Sequence, residues 1–198
     1  MDFPALKHSC YHRIACGPFD GETSVLIGSD IVLHLPVLEY FASLSETVVE
    51  FGVRDGQSTV ALISGCRGIV HSFDIRMSGV VNDLRALELP CKWTFQTLDT
   101  GSELESGLVP ECDMLFIDTE HTHQQMSKEL LLHGRKAMKF LAFHDTFTFR
   151  DEICPAIEDF VASHPGEYRE LYRTDCNNGL LILERIGWPH EATEGAPL

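Results

Sequence analysis

The chain has 198 residues, 44% of them hydrophobic, enough to bury one sizeable core and too few for two ordinary domains. Thirty acidic against fifteen basic side chains leave a formal net charge of -15, a field that repels nucleic acid and anionic membrane surfaces and points to a small or neutral partner. No apolar run approaches the roughly twenty residues that span a bilayer, and residues 1–20 carry no basic stretch followed by an apolar one, so a soluble cytoplasmic protein is expected, with a homodimer as an open option.

Residues 1–28 lack periodicity and contain Gly17, Pro18, Gly21 and Gly28, so they read as an irregular arm of the kind that covers a binding site. Within it His8, Cys10, His12 and Cys16 are soft metal donors, but their spacing matches no familiar zinc pattern. The seven cysteines are odd in number and include no Cys-x-x-Cys pair, which argues for reduced thiols rather than a disulfide framework. Ser29 reads as an N-cap before a helix with Ile31, Leu35, Leu38 and Phe41 on one face and a kink at Pro36.

From Thr47 onward strand-like runs alternate with helical patterns. The strands begin at Thr47, Ile69, Trp93, Met114 and Phe140; the helices cover Ser58 to Ile63, Thr122 to Met138 and Asp151 to Ser163. In the second helix Met126, Leu130, Leu131 and Met138 are the expected buried positions. This alternation predicts an α/β fold, Rossmann-like and doubly wound, with a mostly parallel sheet between helices. Near the end, Tyr168 to Arg173 and Leu180 to Glu184 flank the turn-forming Asp175-Cys-Asn-Asn-Gly179 and predict an antiparallel hairpin. The folded domain is thus expected over 29–186, with a polar tail over 187–198.

The most informative segment is Glu50-Phe-Gly52-Val-Arg-Asp-Gly56-Gln-Ser58-Thr59, where a buried strand turns into a helix. Glycines there let the backbone approach a ligand closely, and the helix that follows aims free N–H groups at the loop. The pattern Glu-x-Gly-x-x-x-Gly departs from the dinucleotide fingerprint Gly-x-Gly-x-x-Gly, and the carboxylate of Glu50 suits a ligand with a cationic amino group. Asp74 closes the second strand, the position from which a carboxylate accepts from ribose hydroxyls, and Asp99 follows the third strand, where the base would lie. Ser58 and Thr59 open the helix beside this candidate site.

Over residues 29–186 this pattern resembles the class I S-adenosylmethionine-dependent methyltransferases, whose cofactor carries the required amino group. The terminal hairpin adds to the resemblance, because in that fold the seventh strand inserts antiparallel next to the sixth. The resemblance implies S-adenosylmethionine as cofactor, held by Glu50, Gly52, Gly56, Ser58, Thr59, Asp74, Asp99 and Asp118.

A second constellation, Phe116-Ile-Asp118-Thr-Glu120-His121 and Phe143-His144-Asp145-Thr146, lies at the ends of the fourth and fifth strands, the edge where open α/β sheets bind ligands. Carboxylates on adjacent strand ends form an oxygen-rich pocket able to hold a hard cation such as magnesium. The segments resemble a metal-assisted O-methyltransferase subgroup that acts on antibiotic sugars and includes relatives named for cephalosporin hydroxylase and rhamnosyl methylation. That resemblance implies Asp118, His144 and Asp145 as ligands of Mg2+ or another divalent cation and Glu120 as base. The imidazole of His144, where relatives carry a carboxylate, admits softer metals. By their ordinary pKa His121 and His144 are alternative bases, as is His123, which lies in the first turn of a helix. A non-haem iron oxygenase built on His121, His144 and Asp145 and a non-catalytic ligand-binding domain are the rival readings.

Overall fold

The computed structural model describes residues 1–15 and 28–187. Its centre is a seven-stranded sheet: β1 (Thr47–Phe51), β2 (Ile69–Asp74), β3 (Lys92–Thr97), β4 (Cys112–Ile117), β5 (Ala137–His144), β6 (Tyr168–Thr174) and β7 (Leu180–Arg185). The spatial order is β3-β2-β1-β4-β5-β7-β6, with β1 to β5 parallel and β7 antiparallel to both β5 and β6. Chain direction across the sheet therefore reverses between β1 and β4, which opens a crevice at their C-terminal ends.

Side chains alternate across the sheet as the pleat requires. Val48, Met114, Phe116, Phe140, Ala142, Leu180 and Ile182 pack on one face with α1 (Phe3–Tyr11), α2 (Leu35–Ser43) and α3 (Gln57–Gly65), joined by Leu84 of α4 (Gly79–Arg85). Val49, Phe51, Leu115, Ile117, Leu141, Phe143, Leu181 and Leu183 pack on the other with α5 (His123–His133) and α6 (Arg150–Ala162). The continuous apolar runs that marked the strands thus serve two cores at once.

Several expectations are corrected. The N-terminal segment is not irregular throughout: Phe3–Tyr11 is helical, capped by Asp2, whose side chain accepts from the Ala5 N–H at 2.9 Å, with Pro4 in the first turn. It docks through buried Phe3 and Cys10 and through Lys7 and Tyr11, which both reach Glu39. Residues 16–27 of the expected arm, Cys16 among them, and the tail from 188 lie outside the described residues. Cys10 is buried while His8 and His12 stack on each other at the surface, so these donors do not converge.

Ser29 is not the cap of α2, because a 3-10 turn at Val32–His34 precedes that helix and places Pro36 in its first turn, where proline starts a helix without kinking it. Helix α5 stops at His133. A 3-10 turn at Gly134–Lys136 leads straight into β5, so Met138 belongs to a strand, and Leu131 is 80% exposed. The hairpin turn has Asn177, Asn178 and Gly179 all at positive φ (47°, 74° and 96°), a left-handed run that only asparagine and glycine adopt readily.

Candidate active site

The loop from β1 to α3 is shaped by one close approach. Gly52 has φ 88°, and a β-carbon on it would lie 1.9 Å from the Asp118 carbonyl oxygen, so no other residue fits. Beyond it, the N–H groups of Val53 and Arg54 donate to Asp74 Oδ2 at 2.8 and 3.1 Å, and Arg76 N–H donates to Oδ1 at 2.9 Å. Asp74 thereby fixes the loop while lining a cavity of about 830 Å³ with Gly52, Asp99, Asp118, Glu120 and Gln125. Asp99 is exposed on the far wall, its Oδ1 accepting from Gly101 N–H at 2.9 Å.

Glu50, Ser58 and Thr59 sit beneath this loop rather than in the large cavity. Glu50 is fully buried and its two oxygens accept from the hydroxyls of Ser58 (2.7 Å), Thr59 (2.8 Å) and Ser72 (2.6 Å). Burial pushes its carboxyl up to about 7, against the pull of those three hydroxyls. Ser58 also touches a smaller cavity of about 40 Å³ beside Asp30, Val53, Arg54, Asp55 and Asp118. Gly56 (φ 72°) starts α3 in a left-handed turn.

At the ends of β4 and β5 the side chains of Asp118, His121 and Asp145 converge, with one ligand atom from each within 4.8 Å of the others. His121 Nε2 lies 2.7 Å from Asp145 Oδ2 and 3.5 Å from Asp118 Oδ1, and its ring stacks on Phe149 with centroids 4.4 Å apart. Asp145 holds φ 61°, a left-handed turn immediately after β5, and its carboxylate is buried against His121 and His144. His144, expected among the ligands, is buried behind the group. Its Nε2 donates to the Asp30 carbonyl at 3.0 Å, leaving Nδ1 at 3.2 Å from Asp145 and 3.4 Å from Asp118. The group that converges thus holds two carboxylates and one imidazole, not the two imidazoles and one carboxylate of an iron oxygenase.

The charges hold one another. Burial opposes ionisation of every member, yet the paired histidines keep Asp118 down to about 2 and Asp145 lower still, and the two carboxylates raise His121 to about 9 and His144 well above its ordinary value. Glu120 lines the cavity at its exposed rim, and His123 stands apart on the first turn of α5.

No family model and no curated protein matches the chain. Solved structures do. The O-methyltransferase from Bacillus cereus in complex with SAH superposes with a TM-score of 0.58 at 14% identity, covering 92% of this chain and 88% of that one. The cofactor-bound Rv0187 from MTB gives a TM-score of 0.59 at 14% identity, covering 92% and 89%. The chain has the class I methyltransferase fold. The methyltransferase MycE of the mycinamycin biosynthetic pathway, solved with Mg and SAH, matches with a TM-score of 0.57 at 13% identity over 93% of this chain and 54% of its own length.

Sequence reasoning missed several residues that build this site. The Asp30 carboxylate bridges to Arg54 at 3.0 Å while its backbone carbonyl accepts from His144 Nε2, and Asn177 pins Leu33 N–H and His34 from the β6–β7 turn. Buried Glu129 of α5 gathers Thr100, Thr119 and Gln125 along the cavity wall. Only Glu129 had a signal available, as a carboxylate on the apolar side of a helix between Met126 and Leu130.

Proposed function

We propose that the protein transfers the methyl group of S-adenosylmethionine to a hydroxyl of a small molecule, a sugar or another specialised metabolite. The observation that carries this reading is the meeting at one sheet edge of the cavity under Gly52 and Asp74 with the Asp118–His121–Asp145 group. S-adenosylmethionine supplies an activated methyl, and its transfer is an in-line displacement that depends chiefly on positioning. Asp74 has lone pairs left for the ribose hydroxyls, Asp99 stands at the base end, and Asp118 borders both cavities between the cofactor loop and the metal group.

The donor set fits a divalent cation. Asp145 Oδ1 is buried without a hydrogen-bond partner, an atom whose desolvation a cation would offset. Asp118, His121 and Asp145 would hold it, and the single imidazole admits manganese or iron as readily as magnesium. A cation held there would lower the pKa of an acceptor hydroxyl. Glu120, at the open rim, is the group placed to take the acceptor proton, while His121 Nε2 is held by Asp145. The neighbour solved with Mg and SAH supports both parts of the reading. The net charge of -15 favours a neutral small acceptor over nucleic acid or a membrane, and no helix among the described residues is long and apolar enough to cross one.

Calorimetric titration with S-adenosylmethionine and S-adenosylhomocysteine, with and without Mg2+ or Mn2+ and with NAD as control, tests the cofactor. Micromolar binding of the first two is expected. A folded protein that binds neither overturns the proposal, and binding without transfer across a screen of hydroxylated acceptors reduces it to a ligand-binding domain.

A further inference from the structure

Helix α5 carries a fully buried carboxylate, Glu129, that the proposed transfer does not use. Its Oε1 accepts from the Thr100 hydroxyl and, at 3.0 Å, from Gln125 Nε2, and its Oε2 accepts from the Thr119 hydroxyl at 2.9 Å. One turn further on, His133 donates to the Thr100 carbonyl at 2.9 Å. The Gln125 amide lies so close to Gly101 that a β-carbon there would come within 2.8 Å of Gln125 Oε1. Helix α5 thereby clamps the turn after β3, in which Asp99 Oδ1 accepts from Gly101 N–H at 2.9 Å.

This network sets the polarity of the cavity wall. A carboxylate only accepts, so each of the three groups around Glu129 points a hydrogen at it. Thr100, Thr119 and Gln125 all line the large cavity, yet both hydroxyl protons and the Gln125 amino group are directed inward. Gln125 Oε1 accepts from no group among the described residues, and the half-buried side chain holds it at the cavity. Beside it stands the exposed carboxylate of Asp99. This stretch of wall therefore offers acceptors and no spare side-chain donor.

We infer that Gln125 Oε1 reads the exocyclic amino group of the cofactor's purine, and that Glu129 is the positioning residue that holds Gln125 in that orientation. The inference rests on the S-adenosylmethionine reading and deepens it, because it names the pair of residues that makes the site select a 6-aminopurine over a 6-oxopurine. An amino group at C6 donates to Oε1. A 6-oxo group sets oxygen against an acceptor with no hydrogen to offer, and a flipped Gln125 amide would set its own oxygen against the Glu129 carboxylate. The rival role for Gln125 is packing of the 99–101 turn alone, which treats the two bases equally.

Calorimetric titration of the full-length chain at pH 8 with S-adenosylhomocysteine and S-inosylhomocysteine, which differ only at C6, tests this. Wild type should bind the inosyl compound about tenfold more weakly or worse. Gln125→Met keeps the length of the side chain and removes the acceptor; it should weaken S-adenosylhomocysteine several-fold, leave the inosyl compound nearly unchanged and so collapse the ratio. Glu129→Leu should collapse it too, whereas Glu129→Gln, whose oxygen can still accept from Gln125 and Thr100 while its amino group faces Thr119, should preserve it. Thermal unfolding of each variant separates a purely structural role, which lowers stability and both affinities together without moving the ratio. If Glu129→Leu does not fold, Gln125→Met decides alone. Equal binding of the two compounds by wild type, or an unchanged ratio in Gln125→Met, overturns the inference and leaves the cofactor reading standing; wild type that binds neither compound overturns both.

Discussion

Replacing Glu50 by glutamine isolates one buried charge. In the folded chain the carboxyl keeps its proton up to about pH 7 because burial disfavours the anion, whereas the free side chain loses it near 4.5. Between those values the folded state binds more protons than the unfolded state, so stability falls as pH rises through the window. At about 1.4 kcal/mol for each pH unit the whole window is worth about 3 kcal/mol. Glutamine keeps the shape and carries no charge, and the hydroxyls of Ser58, Thr59 and Ser72 can reorient so that one accepts from the new amide. Urea unfolding at pH 5 and pH 8 reads the effect: wild type and Glu50→Gln should agree within about 1 kcal/mol at pH 5, and the variant should be more stable by about 1–3 kcal/mol at pH 8. Because the carboxylate lies beneath the loop, S-adenosylhomocysteine affinity should change little. A stability difference that is the same at both pH values would refute the buried-charge reasoning, and a large loss of affinity would mean that Glu50 reaches the ligand after all.

Gly52→Ala forces a β-carbon into the Asp118 carbonyl and strains a φ of 88°, so we expect at least about 2 kcal/mol of destabilisation and loss of cofactor binding, read by thermal unfolding and calorimetry. Asp118→Ala should lower turnover on the order of 100-fold or more and remove any response to added Mg2+ or Mn2+; normal turnover in the variant would remove Asp118 from the mechanism. His133 is buried and donates through Nε2 to the Thr100 carbonyl at 2.9 Å, and burial holds its pKa down to about 4. Its stability contribution is therefore complete above pH 6.5 and lost as pH falls toward 4, the opposite slope to Glu50, and His133→Gln should flatten that acid limb of the unfolding curve.

The parts of the fold written most plainly in the sequence are the strands whose residues face a core on both sides. Strands such as Met114–Ile117 and Phe140–Phe143 are unbroken apolar runs because alternate side chains enter different cores, and no competing pattern obscures them. Helix α1 escaped notice because it buries only Phe3 and Cys10, and α4 because it buries only Val81 and Leu84, too few positions to set up a period of 3.6. Helix α5 was overextended for the converse reason: Met138 falls in phase with Met126 and Leu130, and nothing in that spacing reveals that Gly134–Lys136 tightens into a 3-10 turn before β5. The glycine loop was legible because a backbone that packs against another carbonyl, as Gly52 does against Asp118, leaves no room for a β-carbon.

The relation between His121 and His144 was not legible, and the reason bears on the chemistry. Both lie at strand ends within three residues of an aspartate, so spacing cannot rank them as ligands. What separates them is the 28–35 segment, which brings the Asp30 carbonyl to His144 Nε2 across more than a hundred residues of chain. That contact occupies the His144 Nε2–H and turns the Nδ1–H to the two carboxylates, so the charged ring supports them from behind while His121, stacked on Phe149, stays partly exposed. His121→Ala should therefore weaken Mn2+ binding without unfolding the chain. His144→Ala, which empties a buried position between Asp30 and both carboxylates, should cost stability as well, and equal loss of stability in the two variants would undo the distinction.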